Sequence, residues 1–274
     1  MTLAHIVILL GTGAGVGFAS GLLGVGGGFI MVPVQYILYQ DVGLSANMSL
    51  LMAFGTSLLV ILPTAASGAW RHHTNGTVWW KAAIIMGPCG AVAAFGGASL
   101  ATHIPEGILK IVFGVVVLAS GIWMLIPKSS RSESEVKDSP WLWIVWAIPI
   151  GVVAGLTGLG GGIVTVPVMV LALKFKVHNA MATSLAMIIF NSVGGVVGYI
   201  INGLGVPNLP AYSIGYISLS TWFLLAITSI GMAQVGAMTA RRLPARQLRW
   251  IFIAVMFYVA FRMLGVFEWL GWPL

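Results

Sequence analysis

Charged residues are scarce in this sequence of 274 residues, at 7% of the chain. An ordinary soluble domain has about a quarter of its residues charged, whereas 59% of this chain is hydrophobic. Water cannot accommodate that much apolar surface with so few charges, so the composition excludes a soluble globular protein. Continuous apolar runs recur, each near the roughly 20 residues of a spanning helix, and the short alternating strands of a membrane β-barrel are not seen.

Reactive and metal-binding residues are equally sparse. Cys89 is the only cysteine, which excludes an internal disulfide and a thiolate metal site. No acidic residue lies in the middle of an apolar run, and no nucleophile–base pair is evident. We therefore expect no enzyme activity and no cofactor. The net charge of +7 does not indicate nucleic-acid binding, because the basic residues are scattered between apolar runs.

The chain contains an internal duplication. GLLGVGGGFIMVPV at 21–34 matches GLTGLGGGIVTVPV at 155–168, with a constant offset of 134. GTSL at 55–58 then matches ATSL at 182–185 with an offset of 127, and a later block matches with an offset of 139. Three blocks in the same order make chance similarity a poor explanation.

The duplication defines the domains. We predict a first transmembrane repeat at 1–127, a cytoplasmic linker at 128–140 and a second transmembrane repeat at 141–274. The linker contains KSSRSESEVKDS, the longest polar stretch of the chain. Long internal repeats in a helical membrane protein are typical of transporters. The predicted fold is therefore all-α, a polytopic transmembrane bundle of two repeats.

Each repeat divides into five apolar segments. In chain order they are 4–23, 28–39, 45–69, 78–101 and 107–126, then 141–158, 163–173, 178–202, 212–239 and 249–271. The second segment of each repeat is short, since twelve helical residues rise only about 18 Å against a hydrocarbon core of about 30 Å. We expect it to be a half-helix, a tilted stub or part of a re-entrant hairpin.

Basic residues predict the orientation. Eleven of the thirteen Lys and Arg residues lie in four loops, near 71–81, 128–137, 174–176 and 241–249. Placing these loops in the cytoplasm makes the third segment of the first repeat run inward and that of the second repeat run outward. The repeats would then have inverted topology. We expect a multi-pass protein of the bacterial cytoplasmic membrane.

The glycine-rich turns are the first candidate binding elements. Consecutive glycines break a helix, and the short helix after them would present unpaired N–H groups and a positive dipole end. In inverted repeats such breaks meet near the bilayer midplane. The alternative is close helix packing without ligand contact. The residues predicted to bind an anion are Gly26, Gly27, Gly28, Gly160, Gly161 and Gly162.

Polar residues in the third segments are the second candidate elements. Ser57 and Thr64 are seven residues apart, as are Ser184 and Asn191, and this spacing returns to one helix face. The alternative is ordinary hydrogen bonding between membrane helices. The side chains predicted to contact substrate are Gln35, Thr56, Ser57, Thr183, Ser184 and Asn191.

These motifs resemble the TauE/SafE family of sulfite exporters. The resemblance is carried by the doubled glycine motif, by GTSL and ATSL, and by WRHHTNGTVWWKAA and ARRLPARQLRWIF at the basic loops. It implies export or uptake of small sulfur-containing anions such as sulfite, sulfoacetate or taurine-related organosulfonates. Ala182 replaces the first copy's Gly55, and seven extra residues precede GTSL, so the two halves of the site are expected to be unequal.

The resulting hypothesis is a permease in which one repeat rocks against the other around a single anion site. Its expected partners are a small anionic substrate, the lipid bilayer and a coupling proton or ion. Two alternatives remain open, a passive anion channel and a membrane subunit without transport of its own. The compound, the direction of transport, the coupling ion and the oligomeric state do not follow from the residues.

Overall fold

The computed structural model describes residues 2–125, 138–239 and 245–269. The described chain is almost entirely helical. Its elements are α1 (Leu3–Leu23), α2 (Gly28–Asp41), α3 (Ala46–Thr74), α4 (Trp80–Ala101), α5 (Glu106–Leu125), α6 (Pro140–Thr157), α7 (Gly162–Leu171), α8 (Val177–Gly203), β1 (Ser213–Ile214), β2 (Ile217–Ser218), α9 (Leu219–Thr239), α10 (Ala245–Met263) and α11 (Val266–Trp269).

Long apolar helices dominate the fold and confirm the predicted polytopic helical bundle. Seven of the described helices are long and apolar enough to cross a membrane, namely α1, α3, α4, α5, α6, α8 and α9. Large apolar side chains such as Val92 and Phe223 are exposed on their outer faces. A lipid environment explains such surfaces, because exposed apolar side chains cost nothing in hydrocarbon.

The short second segments are separate helices. α2 has 14 residues and α7 has 10, which at 1.5 Å per residue gives lengths of about 21 Å and 15 Å. Both lengths are well below the roughly 30 Å of a hydrocarbon core. Neither helix is therefore long enough to span a bilayer alone.

The start of one predicted segment was wrong. Residues 213–218, placed within the apolar segment 212–239, form a β-hairpin in which Ser213 pairs with Ser218 and Ile214 with Ile217. Gly215 has φ 55° at the first turn position, where tight hairpins favour glycine. The helix consequently begins at Leu219 rather than at residue 212.

The first helix of each half packs on the fourth helix of the other half. α1 lies along α9, where the backbone of Gly21 faces that of Ala233. α6 lies along α4, where Gly155 faces Ala94 in the same way. A Cβ at either glycine would overlap the facing carbonyl oxygen, so only glycine permits this approach.

These contacts map onto each other through the sequence offsets. The offset of 134 relates Gly21 to Gly155, and that of 139 relates Ala94 to Ala233. The two halves are therefore interlocked by equivalent contacts. The inverted orientation and the domain bounds stay predictions, as does the cytoplasmic linker, of which the structure describes only 138–140. Arg241 and Arg242, and the side chains of Arg246 and Arg249, also lie outside the described residues.

The centre of the bundle is formed by α3 and α8, which pack against each other. Ile61 on α3 and Ile188 on α8 are both fully buried there. The offset of 127 relates these two residues, so equivalent positions of the two halves meet at the middle of the molecule.

Candidate functional site

Both helical breaks occur at the predicted glycine turns. The first turn, Gly24–Gly27, joins α1 to α2, and the second turn, Gly158–Gly161, joins α6 to α7. In each turn three glycines have positive φ, at 70°, 81° and 74° in the first and 66°, 70° and 85° in the second. Side chains make this region costly, by about 1–2 kcal/mol per residue. The turns therefore depend on glycine.

Each short helix begins on a glycine that provides no side-chain cap. Gly27 and Gly161 occupy the N-cap positions in the left-handed conformation, and no side chain caps the helix there. Their carbonyls accept the first intrahelical hydrogen bonds, from Ile30 and Val164 among others. The amides of a first helical turn have no intrahelical acceptor. The starts of α2 and α7 thus provide donors and positive dipole ends.

The two turns contact each other. A Cβ at Gly28 would lie 2.9 Å from the carbonyl oxygen of Gly158, and a Cβ at Gly162 would lie 2.9 Å from that of Gly24. The first residue of each half-helix is therefore packed on the opposite turn. Gly26 and Gly160 are buried in the same region. All six predicted glycines therefore lie in, or directly after, two turns that contact each other, and their binding of an anion stays a prediction.

Two isoleucine side chains occupy the space beside the turns. A Cβ at Gly160 would lie 3.1 Å from Ile61 Cγ2 and 3.2 Å from Ile188 Cγ2. At Gly26 the corresponding approaches are 3.6 Å to Ile61 and 3.5 Å to Ile188 Cδ1. The glycine turns are thus covered by the side chains at the α3–α8 crossing.

Gln35 and Ser57 bind each other. Gln35 Nε2 donates to Ser57 Oγ at 2.8 Å, and Tyr39 donates to Gln35 Oε1 at 3.4 Å. All three residues are buried. Met169 occupies the equivalent position in the second half, so this polar contact between half-helix and third helix exists only in the first half, as the unequal repeats predicted.

Thr56 and Thr183 hold backbone amides. Thr56 Oγ1 accepts from the N–H of Ser218, and Thr183 Oγ1 accepts from the N–H of Trp79, each at 3.0 Å. Ser218 and Trp79 immediately precede the fourth helix of their halves and are related by the offset of 139. The two threonines thus position the start of α9 and of α4 and are not brought to the glycine turns.

Ser184 and Asn191 do contact the turns. Ser184 Oγ lies 2.8 Å from the carbonyl oxygen of Gly24, to which it donates. Asn191 Nδ2 donates to the carbonyl oxygen of Gly160 at 3.4 Å, and a Cβ at Gly161 would lie 3.0 Å from it. The third helix of the second half therefore supports both turns.

The equivalent of Asn191 in the first half has a different role. Thr64 lies 2.8 Å from Ser229 Oγ and donates to the carbonyl oxygen of Val60 at 2.8 Å. It therefore links α3 to α9 instead of facing a turn.

Ser192 was missed by the sequence prediction. Its side chain is fully buried, and Ser192 Oγ lies 3.5 Å from the position of a Cβ at Gly160. The repeat comparison gave no signal, because Ala65 occupies the equivalent position in the first half. The available clue was a second polar residue beside Asn191 in an otherwise apolar helix.

Polar contacts hold the far end of α2. His5 Nε2 lies 2.8 Å from Asp41 Oδ2, which joins the start of α1 to the end of α2. Tyr36 donates to Glu106 at 2.5 Å, and Glu106 pairs with Lys110, four residues on in α5, at 3.4 Å. Within residues 2–125, 138–239 and 245–269, no group of three or more His, Cys, Asp or Glu is placed to hold a metal.

Comparisons with known proteins agree on one family. The chain matches the family described as "Sulfite exporter TauE/SafE" over residues 9–263. It is 30% identical over 244 residues to a probable membrane transporter protein of Methanocaldococcus jannaschii, covering 88% of this chain and 89% of that protein.

Bacterial relatives give the same result. A probable membrane transporter protein of Haemophilus influenzae is 29% identical over 260 residues, covering 94% of this chain and 97% of that protein. The probable membrane transporter protein YdhB of Bacillus subtilis is 28% identical over 192 residues, covering 68% of this chain and 76% of that protein. No solved structure matches the chain.

Proposed function

This chain belongs to the sulfite exporter TauE/SafE family of membrane transporters, and we propose that it carries small sulfur-containing anions, such as sulfite and organosulfonates, across the bacterial cytoplasmic membrane. The single observation that supports this proposal is the meeting of two half-helix N-termini at the centre of the bundle. Gly28 and Gly162, the first residues of α2 and α7, each pack on the opposite glycine turn.

The electrostatics of this arrangement favour an anion. Each helix N-terminus carries a partial charge of about +0.5, together with backbone donors that lack intrahelical acceptors. Both act in an interior from which water is excluded, where charge interactions are stronger than in solution. Sulfite and sulfonate groups present several oxygen acceptors in a compact tetrahedral or pyramidal group. They fit donors that converge from two directions.

Alternating access follows from how the helices are grouped. Since α1 is locked to α9 and α6 to α4, a repeat cannot rock as a unit without separating these contacts. We therefore revise the hypothesis that one repeat rocks against the other. The moving units are instead two bodies that each contain helices of both repeats, one of α1, α2, α3 and α9 and the other of α4, α6, α7 and α8. Their interface runs through the α3–α8 crossing and the two glycine turns.

Movement of these bodies would open the site to one side at a time. Ile61 and Ile188, at the interface of the bodies, cover the turns. An anion reaches the amides only when these side chains separate. This cover argues against the alternative of a permanently open passive channel, because fully buried isoleucines leave no wet path. It also gives a reason to expect saturable flux.

The test places a methyl group at the centre of the site. Gly26→Ala would put a Cβ between Ile61 and Ile188 with no contact below 3.4 Å. Gly76→Ala is a matched control, because Gly76 also has positive φ, at 67° against 81° for Gly26, but has nothing within 4 Å of its Cβ position. Both variants place alanine at a positive φ, and only one changes the site.

We expect proteoliposome flux of sulfite or methanesulfonate to fall about tenfold or more in Gly26→Ala. The added methyl group would hold the anion away from the amides, and losing one hydrogen bond to a charged group has an effect of that size. Gly76→Ala should retain the flux of the unmodified protein. Thermal unfolding of both variants in detergent controls for folding. Equal flux in the two variants, or no flux of any sulfur anion by the unmodified protein, would refute the proposed function.

A further inference from the structure

The surroundings of the two glycine turns differ in polarity. Beside the second turn, α8 presents Asn191 and Ser192. The equivalent positions of α3 are Thr64, whose hydroxyl is bonded to Ser229, and Ala65, which has no polar atom. The second turn therefore has side-chain groups directed towards it that the first turn lacks on its matching helix.

These side chains carry atoms without partners. Among the described residues, Ser192 Oγ and Asn191 Oδ1 are buried and have no hydrogen-bond partner, and both residues are 0% exposed. Burying a polar group without a hydrogen-bond partner is unfavourable, so native proteins rarely leave one unpaired. Asn191 Oδ1 is directed to Gly90 of α4, where a Cβ would lie 2.3 Å from it, whereas Ser192 Oγ lies beside the second turn. A fully buried hydroxyl without a partner at this turn indicates a site that is completed by a bound polar ligand.

The charge available to a ligand here is small. No Lys or Arg is among the buried side chains of the described residues. Arg262, in the last turn of α10, donates to the hydroxyl of Tyr258 at 3.1 Å. The two half-helices together supply about one unit of positive charge, which neutralises a monoanion and leaves a dianion half unpaired in a low-dielectric interior.

We propose that the second glycine turn, Asn191 and Ser192 form a binding subsite for a singly charged oxyanion of the type R–SO3⁻ or HSO3⁻. The hydroxyl of Ser192 and the amide nitrogen of Asn191 donate to the anion's oxygens, beside the N-terminus of α7. This inference rests on the proposed transport of sulfur anions.

The side-chain part is tested with Ser192→Ala. Because Ser192 Oγ has no partner to lose, the variant should unfold at the same temperature as the unmodified protein or higher. Its affinity for methanesulfonate should nevertheless fall about tenfold, the effect of losing a hydrogen bond to a charged group. Ser49→Ala is the matched control, since Ser49 is equally buried but its hydroxyl binds the carbonyl oxygen of Leu44, and it should bind normally.

The charge part is tested by measuring binding of three anions to the purified protein. Methanesulfonate, a permanent monoanion, should bind equally from mildly acidic to mildly alkaline pH. The affinity for sulfite should fall as pH rises, because hydrogensulfite loses its proton. Sulfate, a permanent dianion, should bind at least about tenfold more weakly than methanesulfonate. This estimate takes the unpaired second charge to cost about as much as one lost hydrogen bond to a charged group.

The outcomes separate the subsite from the transport proposal. If Ser192→Ala binds methanesulfonate normally, or sulfate binds as tightly as methanesulfonate, the subsite is refuted while transport of sulfur anions stands. If the unmodified protein neither binds nor transports sulfite, methanesulfonate or sulfate, the proposed function itself fails. Loss of binding in Ser49→Ala equal to that in Ser192→Ala would also overturn the subsite.

Discussion

Thr183 is expected to act by holding a backbone amide rather than by binding substrate. Its hydroxyl accepts from the N–H of Trp79 at 3.0 Å, just before α4 begins. Thr183→Val preserves the shape of the side chain and replaces the hydroxyl by a methyl group. The N–H of Trp79 then has no acceptor at a position that is only partly open to water.

The magnitude follows from that single lost acceptor. An amide left unsatisfied on burial costs about 1–3 kcal/mol. In a chain of 150–250 residues each kcal/mol lowers the melting temperature by about 2–4 °C, so we expect a decrease of about 2–12 °C. Thr56→Val should give a similar decrease, because Thr56 holds the N–H of Ser218 at the same distance.

Thermal unfolding in detergent, paired with anion binding, measures both consequences. Thr165→Val is the control, because its buried hydroxyl donates only to the carbonyl oxygen of Gly161, which also accepts from backbone amides. It should lose less stability than Thr183→Val. A Thr183→Val protein with unchanged melting temperature and an anion affinity reduced tenfold would refute the positioning role and restore Thr183 as a substrate ligand.

Two further predictions concern the interlocked helices. Gly155→Val should prevent α6 from approaching α4 at Ala94, because its side chain would overlap the facing carbonyl oxygen; overpacking of this kind costs about 1–3 kcal/mol or more, and a melting temperature equal to that of the unmodified protein would contradict it. In a background of Cys89→Ala, joining Ile61→Cys to Ile188→Cys with a short thiol-reactive reagent should abolish flux reversibly, because the two bodies can no longer separate. Full flux in the cross-linked protein would contradict the proposed movement.

Much of the fold was predictable because it depends on local patterns. Apolar runs long enough to span a bilayer determine helices in lipid almost independently of their neighbours, since backbone groups must be satisfied within each segment. Glycine runs break helices for reasons of local conformation, so the predicted bounds of the two short helices, 28–39 and 163–173, lie within two residues of those of α2 and α7. The hairpin at 213–218 was missed, because its strands of two residues each are too short to show an alternating pattern.

The pairing of helices was not predictable from the residues. The internal repeat showed that the two halves are similar. It did not show that the first helix of each half packs on the fourth helix of the other half. The pairing of helices depends on places where a glycine lies against the backbone of the neighbouring helix, as Gly21 does against Ala233 and Gly155 against Ala94. The sequence marks small residues, and only the assembled helices determine which backbone they face.

The site divides in the same way. Residue types and their spacing were enough to predict that two glycine turns precede two short helices and that small polar residues accompany them. Helix packing was needed to show that Thr56 and Thr183 accept from backbone amides, that Gln35 donates to Ser57, and that Ser192 faces a turn. The reason is physical: a residue's type fixes which hydrogen bonds it can form, whereas its partner depends on which helix packing brings within reach.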